Sequence, residues 1–256
     1  MTQVTPDAVT PALRLQGVGR RFGALQALSA VDLEIPQGQR RAILGPNGAG
    51  KTTLFNVVTG DYPPSSGSVF LFGHDVTRMP AHRRAFLGLG RTYQTVLLFG
   101  GMTVADNLYL AARGVRPGHL SVVRPRAGDR YRAKAAGLAE MIGLTDVAGR
   151  PVSQLAHGQL RQLELGMALA GEPLLLMLDE PAAGLSPGER QALSRLLAGL
   201  PRSITVVLIE HDMDVALAAA DYVTVMHNGR VLAGGTPDEI QVNQVVHDIY
   251  LGHHVA

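Results

Sequence analysis

Apolar and polar positions follow two rhythms along this chain. Between Leu13 and Ile35 they alternate in short runs, "LRLQGV" and "VDLEI". Alternation predicts half-buried antiparallel strands, because successive side chains of a strand point to opposite faces. "RAILG" then reads as a short apolar strand, "KTTLFNVVTG" as a helix stopped by Gly60, and "SGSVFLFG" as a further strand. Later, "LLLMLDE" and "ITVVLIEHD" are apolar without alternation, the pattern of strands covered on both faces in a parallel sheet.

Between those two runs "SPGERQALSRLLAGL" predicts a helix. Ser186 is its N-cap, Pro187 sits in the first turn, and Glu189 completes a capping box. "TPDEI" at Thr236 repeats the signal, and "YVTVMHNGRVLAGG" predicts a hairpin turning at Asn228-Gly229. Residues 95–171 differ in character. They carry helical patterns, no convincing strand, and the Arg/Gly/Pro-rich link "RGVRPGHLSVVRPRAGDR". The chain is therefore expected to be one α/β domain with a mostly parallel sheet and an antiparallel β subdomain. Residues 1–11 form a loose arm, 12–94 and 172–256 the core, and 95–171 a helical subdomain. No internal repeat or low-complexity tract is present.

Composition narrows the class. The 256 residues include no cysteine, which excludes a disulfide framework and is the usual look of a cytosolic protein. No run of about 18 apolar residues could span a bilayer. "MTQVTPDAVTPALRL" lacks the basic and apolar regions of a secretory signal. Lys and Arg total 23 against 21 Asp and Glu, and the basic residues form no block. Charge therefore does not indicate nucleic-acid binding.

The chemistry concentrates at "LGPNGAGKTTLFN". Gly45, Pro46, Asn47, Gly48, Ala49, Gly50, Lys51 and Thr52 fit G-x-x-x-x-G-K-[ST], with Thr53 following. A polyphosphate needs several N–H donors converging on a small volume. The backbone conformations that achieve this are open to glycine and obstructed by a Cβ. The helix that follows aims unpaired N–H groups and its positive dipole end at the same point. Lys51 adds a mobile cation for the β and γ phosphates, and Thr52 a hydroxyl for Mg²⁺. Asp179, ending "LLLMLDE", is expected to hold the Mg²⁺ through water, and Glu180 to orient and deprotonate the attacking water.

With these motifs in order, the sequence resembles an ABC-transporter ATPase subunit over nearly its whole length. The decisive stretch is "LAHGQ", Leu155, Ala156, His157, Gly158 and Gln159, which resembles the family signature L-S-G-G-Q. A stand-alone P-loop kinase has no use for it. The resemblance implies a P-loop NTPase core and a signature that faces the ATP of a partner subunit. "RRFG" places Phe22 where the family stacks an aromatic on adenine. "RTYQ" places Gln94 at the loop that senses Mg²⁺ and the permease. "AGLS" sits at the D-loop, and "IEHD" places His211 at the switch histidine of the γ-phosphate. Ala156 stands where the family has a serine and His157 where it has the first glycine, which weakens the hydroxyl side of the signature. His253 and His254, like the remaining histidines, show no metal-ligand spacing.

Within the family, "LAHGQ", "MTVADNLYLA", "EPAAGLSP", "IEHDMDVAL" and "IYLG" together resemble ATPases of branched-chain amino acid importers, of the LivG kind. The resemblance implies ATP and Mg²⁺ as cofactors and transmembrane permeases as partners. It also implies a second ATPase subunit, a periplasmic solute-binding protein acting indirectly, and a peripheral place on the cytoplasmic face of the membrane. Related amides or urea are alternative solutes. An ABC ATPase of lipopolysaccharide export or cluster assembly is the alternative system.

Overall fold

The computed structural model describes residues 10–92, 98–114 and 130–251. The first alternating segment forms two strands, β1 (Leu13–Phe22) and β2 (Leu25–Ile35), paired antiparallel. They run beyond the stretches whose alternation predicts them. The ladder shifts register three times between Leu15 and Arg21, and such bulges interrupt strict alternation. After β3 (Arg40–Leu44), helix α1 (Lys51–Thr59) ends at Gly60, whose φ of 87° caps it in the left-handed region. β4 (Ser66–Leu71) and the two-residue β5 (His74–Asp75) complete a four-stranded sheet of order β2-β1-β4-β5.

Next come the short helix α2 (Ala81–Phe86) and a three-residue strand, β6 (Leu89–Arg91), too short to register as a pattern. The middle of the chain then supplies α3 (Val104–Gly114), α4 (Arg130–Met141) and α5 (His157–Leu169). β7 (Leu175–Asp179), α6 (Pro187–Gly199), β8 (Thr205–Glu210) and α7 (Met213–Ala219) restore the α/β alternation. The hairpin β9 (Tyr222–His227) and β10 (Arg230–Gly235) turns through Asn228 and Gly229, both at positive φ, as a two-residue type I′ loop requires. α8 (Pro237–Gln241) and α9 (Gln244–Leu251) close the described chain. The second sheet has order β10-β9-β3-β8-β7-β6, all parallel except for β10.

The two faces of the parallel strands serve different cores. Leu175 and Met177 of β7, with Val207 and Ile209 of β8, pack into a cluster that includes Leu54, Phe55 and Val58 of α1 and the antiparallel sheet. Leu176, Leu178, Val206 and Leu208 pack the other way, against Leu163 of α5, Leu193 of α6 and the helices around them. Parity therefore turns Asp179 toward the α1 side and Glu210 toward the α5 and α6 side.

Two buried arginines brace this frame. Arg84 of α2, 1% exposed, donates to the carbonyls of Val57 and Val58 at the end of α1 and to Met79. Arg40, opening β3, donates to the carbonyls of Leu197, Ala198 and Leu200 at the end of α6. Each brings donors to carbonyls in the C-terminal turn of a helix, where intrahelical partners run out. Burial lowers both guanidinium pKa values, that of Arg84 to about 10.

Candidate functional site

The glycine-rich loop joins the carboxyl end of β3 to the first turn of α1, the place where parallel α/β sheets bind ligands. Gly48 and Gly50 have φ of 80° and 98°, and Gly50 stands as the N-cap of α1 with no side chain capping that helix. The loop is packed on the hairpin turn. Gly229 N–H donates to the Ala49 carbonyl at 3.0 Å, and a Cβ on Gly45 would lie 2.4 Å from the Met226 carbonyl oxygen. A glycine at 45 is thus a steric requirement, and the uncapped helix start leaves N–H donors for an anion.

Lys51 is 5% exposed, and its Nζ donates to the carbonyls of Gly45 at 2.6 Å and Pro46 at 3.0 Å. Burial lowers its pKa, against the pull of Glu180, Asp179 and Glu210. Asp179, 5% exposed, has a buried Oδ1 with no hydrogen-bond partner. Its pKa is pushed up to about 6, first by desolvation and then by Glu180, with Lys51 opposing. A buried carboxylate oxygen left unpaired is costly unless a ligand completes it. A Mg²⁺ would suit Asp179 and the Thr52 hydroxyl chemically, since both are hard oxygen donors. No cluster of three or more His, Cys, Asp or Glu fit for a metal occurs among the described residues.

Glu180 follows at a φ of 46°, its N–H donating to the Ile209 carbonyl at 2.9 Å. Its Oε1 lies 3.5 Å from His211 Nδ1, across adjacent strands. Past His211, Asp212 caps α7 and pairs with Arg190 of α6 at 2.6 Å, and Arg190 also donates to the Leu185 carbonyl. Phe22 is 39% exposed at the end of β1 and meets Tyr62 edge-on, with ring centroids 5.4 Å apart and Arg20 over both rings. Tyr62 carries no motif, and its neighbour emerges only from the fold. Gln94 lies outside the described residues.

The signature stretch opens α5. Leu155 is half-buried, Ala156 is the N-cap, and Ala156 N–H donates to Gln159 Oε1 at 3.0 Å. That is half of a capping box, because alanine has no oxygen to return the bond. Ala156 and His157 are exposed and Gly158 is buried. A Cβ on Gly158 would lie 2.3 Å from Glu189 Oε1, and one on Gly184 would lie 3.1 Å from His157 Nε2. The glycines therefore let the signature helix sit tightly on the start of α6.

A sequence model described as ABC transporter matches residues 28–183. The chain belongs to the ABC transporter family. It is an ATP-binding cassette and an ATPase, and its residues 230–256 match the model described as branched-chain amino acid ATP-binding cassette transporter. It is 40% identical over 250 residues to the high-affinity branched-chain amino acid transport ATP-binding protein BraF of Pseudomonas aeruginosa, covering 94% of this chain and 98% of that protein. The same identity and coverage relate it to the corresponding LivG of Escherichia coli strain K12. Its fold is similar to the ADP conformation of MJ1267, an ATP-binding cassette of an ABC transporter, with TM-score 0.84 and 30% identity over 94% of this chain and 99% of that one. The sequence motifs of this cassette thus fall where the fold gathers them: the phosphate loop, Asp179, Glu180 and His211 meet at the carboxyl ends of β3, β7 and β8. Glu210, buried in the same place, is the second residue of "IEHD", a run in which the sequence assigned a role only to His211.

Proposed function

We propose that this chain is the ATP-hydrolysing subunit of an importer for branched-chain amino acids, or related amides or urea. The orphaned Asp179 oxygen beside the lysine-bearing loop carries the hydrolytic reading. The solute class rests on what the relatives are named for and on the match at residues 230–256.

In this reading Lys51 and the N–H groups of the loop bind the β and γ phosphates of ATP, and Phe22 stacks on adenine. Mg²⁺, when bound through Thr52 and Asp179, neutralises phosphate charge. Glu180 accepts a proton from the water that attacks the γ-phosphorus. The bond to the bridging oxygen breaks, and ADP and phosphate leave. His211 holds the γ-phosphate from the next strand. Gln94 is assigned to sensing Mg²⁺ and permease.

Hydrolysis requires two cassettes head to tail, each ATP lying between Lys51 and Gly158 of the partner subunit. The first-turn N–H groups of His157, Gly158 and Gln159 are suited to an anion. The second cassette is an identical or a different ATPase subunit, and permeases and a periplasmic solute-binding protein complete the system. No helix among the described residues is long and apolar enough to cross a membrane. A peripheral place on the cytoplasmic face, held by the permeases, accords with that.

The test is reconstitution with the permease pair and binding protein. Solute-stimulated hydrolysis is expected with leucine, isoleucine or valine, or with an amide or urea. Stimulation by none of these would overturn the solute class. Separately, the rate for isolated protein should rise more steeply than its concentration. A linear dependence down to monomeric protein would overturn the shared site.

A further inference from the structure

We propose that Glu210 is a positioning residue that holds the backbone turn carrying Glu180. The inference rests on the proposed role of Glu180 as general base.

Glu180 sits at a φ of 46°, in the left-handed region where a side chain with a Cβ is strained. Such a conformation persists only where neighbouring groups over-determine it. Within the turn, Ala183 N–H donates to the Glu180 carbonyl at 3.0 Å. Two further bonds tie the turn to the end of β8. Glu180 N–H donates to the Ile209 carbonyl at 2.9 Å, and Ala182 N–H donates to Glu210 Oε1 at 3.2 Å. The first uses a backbone oxygen that any residue at 209 provides. The second needs a side-chain acceptor at 210, long enough to reach over the strand end.

Glu210 is 1% exposed. Burying a carboxylate is unfavourable, and desolvation pushes its pKa up to about 7, with the Ala182 N–H, His211, Glu180 and Asp212 acting on it as well. Chain parity aims it away from the phosphate loop, to the face where Ala182 and Leu185 are packed. Its bond to Ala182 thus fixes the far side of the Glu180 turn. Without that bond the turn is tethered on one side, and the Glu180 carboxylate is free to leave the line of attack. A displacement of about 1 Å at a catalytic group costs on the order of a hundredfold in rate.

The experiment compares Glu210→Gln, which keeps an acceptor oxygen, with Glu210→Met, which has similar length and no oxygen. Steady-state hydrolysis, ATP binding by calorimetry, and hydrogen exchange of the peptide containing Ala182 are measured on the full chain. Glu210→Gln should keep kcat within about threefold of the parent. Glu210→Met should lose at least about tenfold in kcat at unchanged ATP affinity, with faster exchange at Ala182. Added to Glu180→Gln, Glu210→Met should cause no further loss, because it acts through Glu180. Three results would overturn the inference: full kcat in Glu210→Met, an equal loss in Glu210→Gln, or an additive loss in the double variant. If Glu210→Met does not fold, Glu210→Gln decides: parental kcat and exchange support the inference, and a tenfold loss overturns it. Hydrolysis retained by Glu180→Gln would instead remove the premise, so the two failures are distinguishable.

Discussion

His211 Nδ1 lies 3.5 Å from Glu180 Oε1, across the carboxyl ends of two neighbouring parallel strands. The residues are 31 apart in sequence, and the register of β7 on β8 is what brings them together. In the proposed mechanism this pair would supply the base and the imidazole that contacts the γ-phosphate.

Glu180→Gln is therefore expected to bind ATP normally and to lose turnover by about two to four orders of magnitude. It should accumulate as an ATP-bound dimer on size exclusion. Near-parental steady-state hydrolysis would remove Glu180 from the role of base.

Glu210 predicts a pH dependence of stability. Its pKa in the folded chain, about 7, lies above the ordinary glutamate value of 4.5, so the folded state binds the proton more tightly. Its contribution is fully present below pH 4.5 and is lost as pH rises through 7. Relative to Glu210→Gln, the parent should lose stability between about pH 5 and pH 7.5, by up to about 3 kcal/mol. Urea unfolding of both proteins at a series of pH values measures this. Parallel curves would show that the carboxyl titrates normally.

Arg84→Ala should destabilise without touching the site. The Val57, Val58 and Met79 carbonyls lose a shared donor inside the protein. The expected cost is about 3 kcal/mol, or roughly 6–10 °C in Tm. Calorimetry on the nucleotide-free chain would read it, and an unchanged Tm would deny Arg84 a bracing role.

Phe99 is 54% exposed, while its backbone is held from beneath. Phe99 N–H donates to Asn107 Oδ1, and Asn107 Nδ2 donates back to the Phe99 carbonyl. The family resemblance ties the loop of Gln94 to the permease, and we propose Phe99, a few residues on, as part of the docking surface. Phe99→Asp should leave Tm and ATP affinity of the isolated chain within error and abolish assembly with the permease. Normal assembly would move the docking surface elsewhere, and unfolding would make Phe99 a structural residue despite its exposure.

Much of this protein is written locally. The "GPNGAGKT" loop that follows β3, the Ser186 and Thr236 capping boxes, and the Asn228-Gly229 turn each depend on a few neighbouring residues whose backbone demands are specific. The apolar runs around Leu176 and Val207 declare buried strands for the same reason. The sequence thus determined which groups could bind phosphate and which carboxylates stand at strand ends. It did not determine the short strands β5 and β6, which exist because a neighbour pairs with them. Nor did it reveal Arg40 and Arg84 as interior residues. An arginine reads as surface until a helix end is placed within reach of its guanidinium. The same holds for the Phe22–Tyr62 pair and for Glu210 beneath Ala182. Those relationships join residues far apart in the chain, and only the packing of sheet on helix sets their distances.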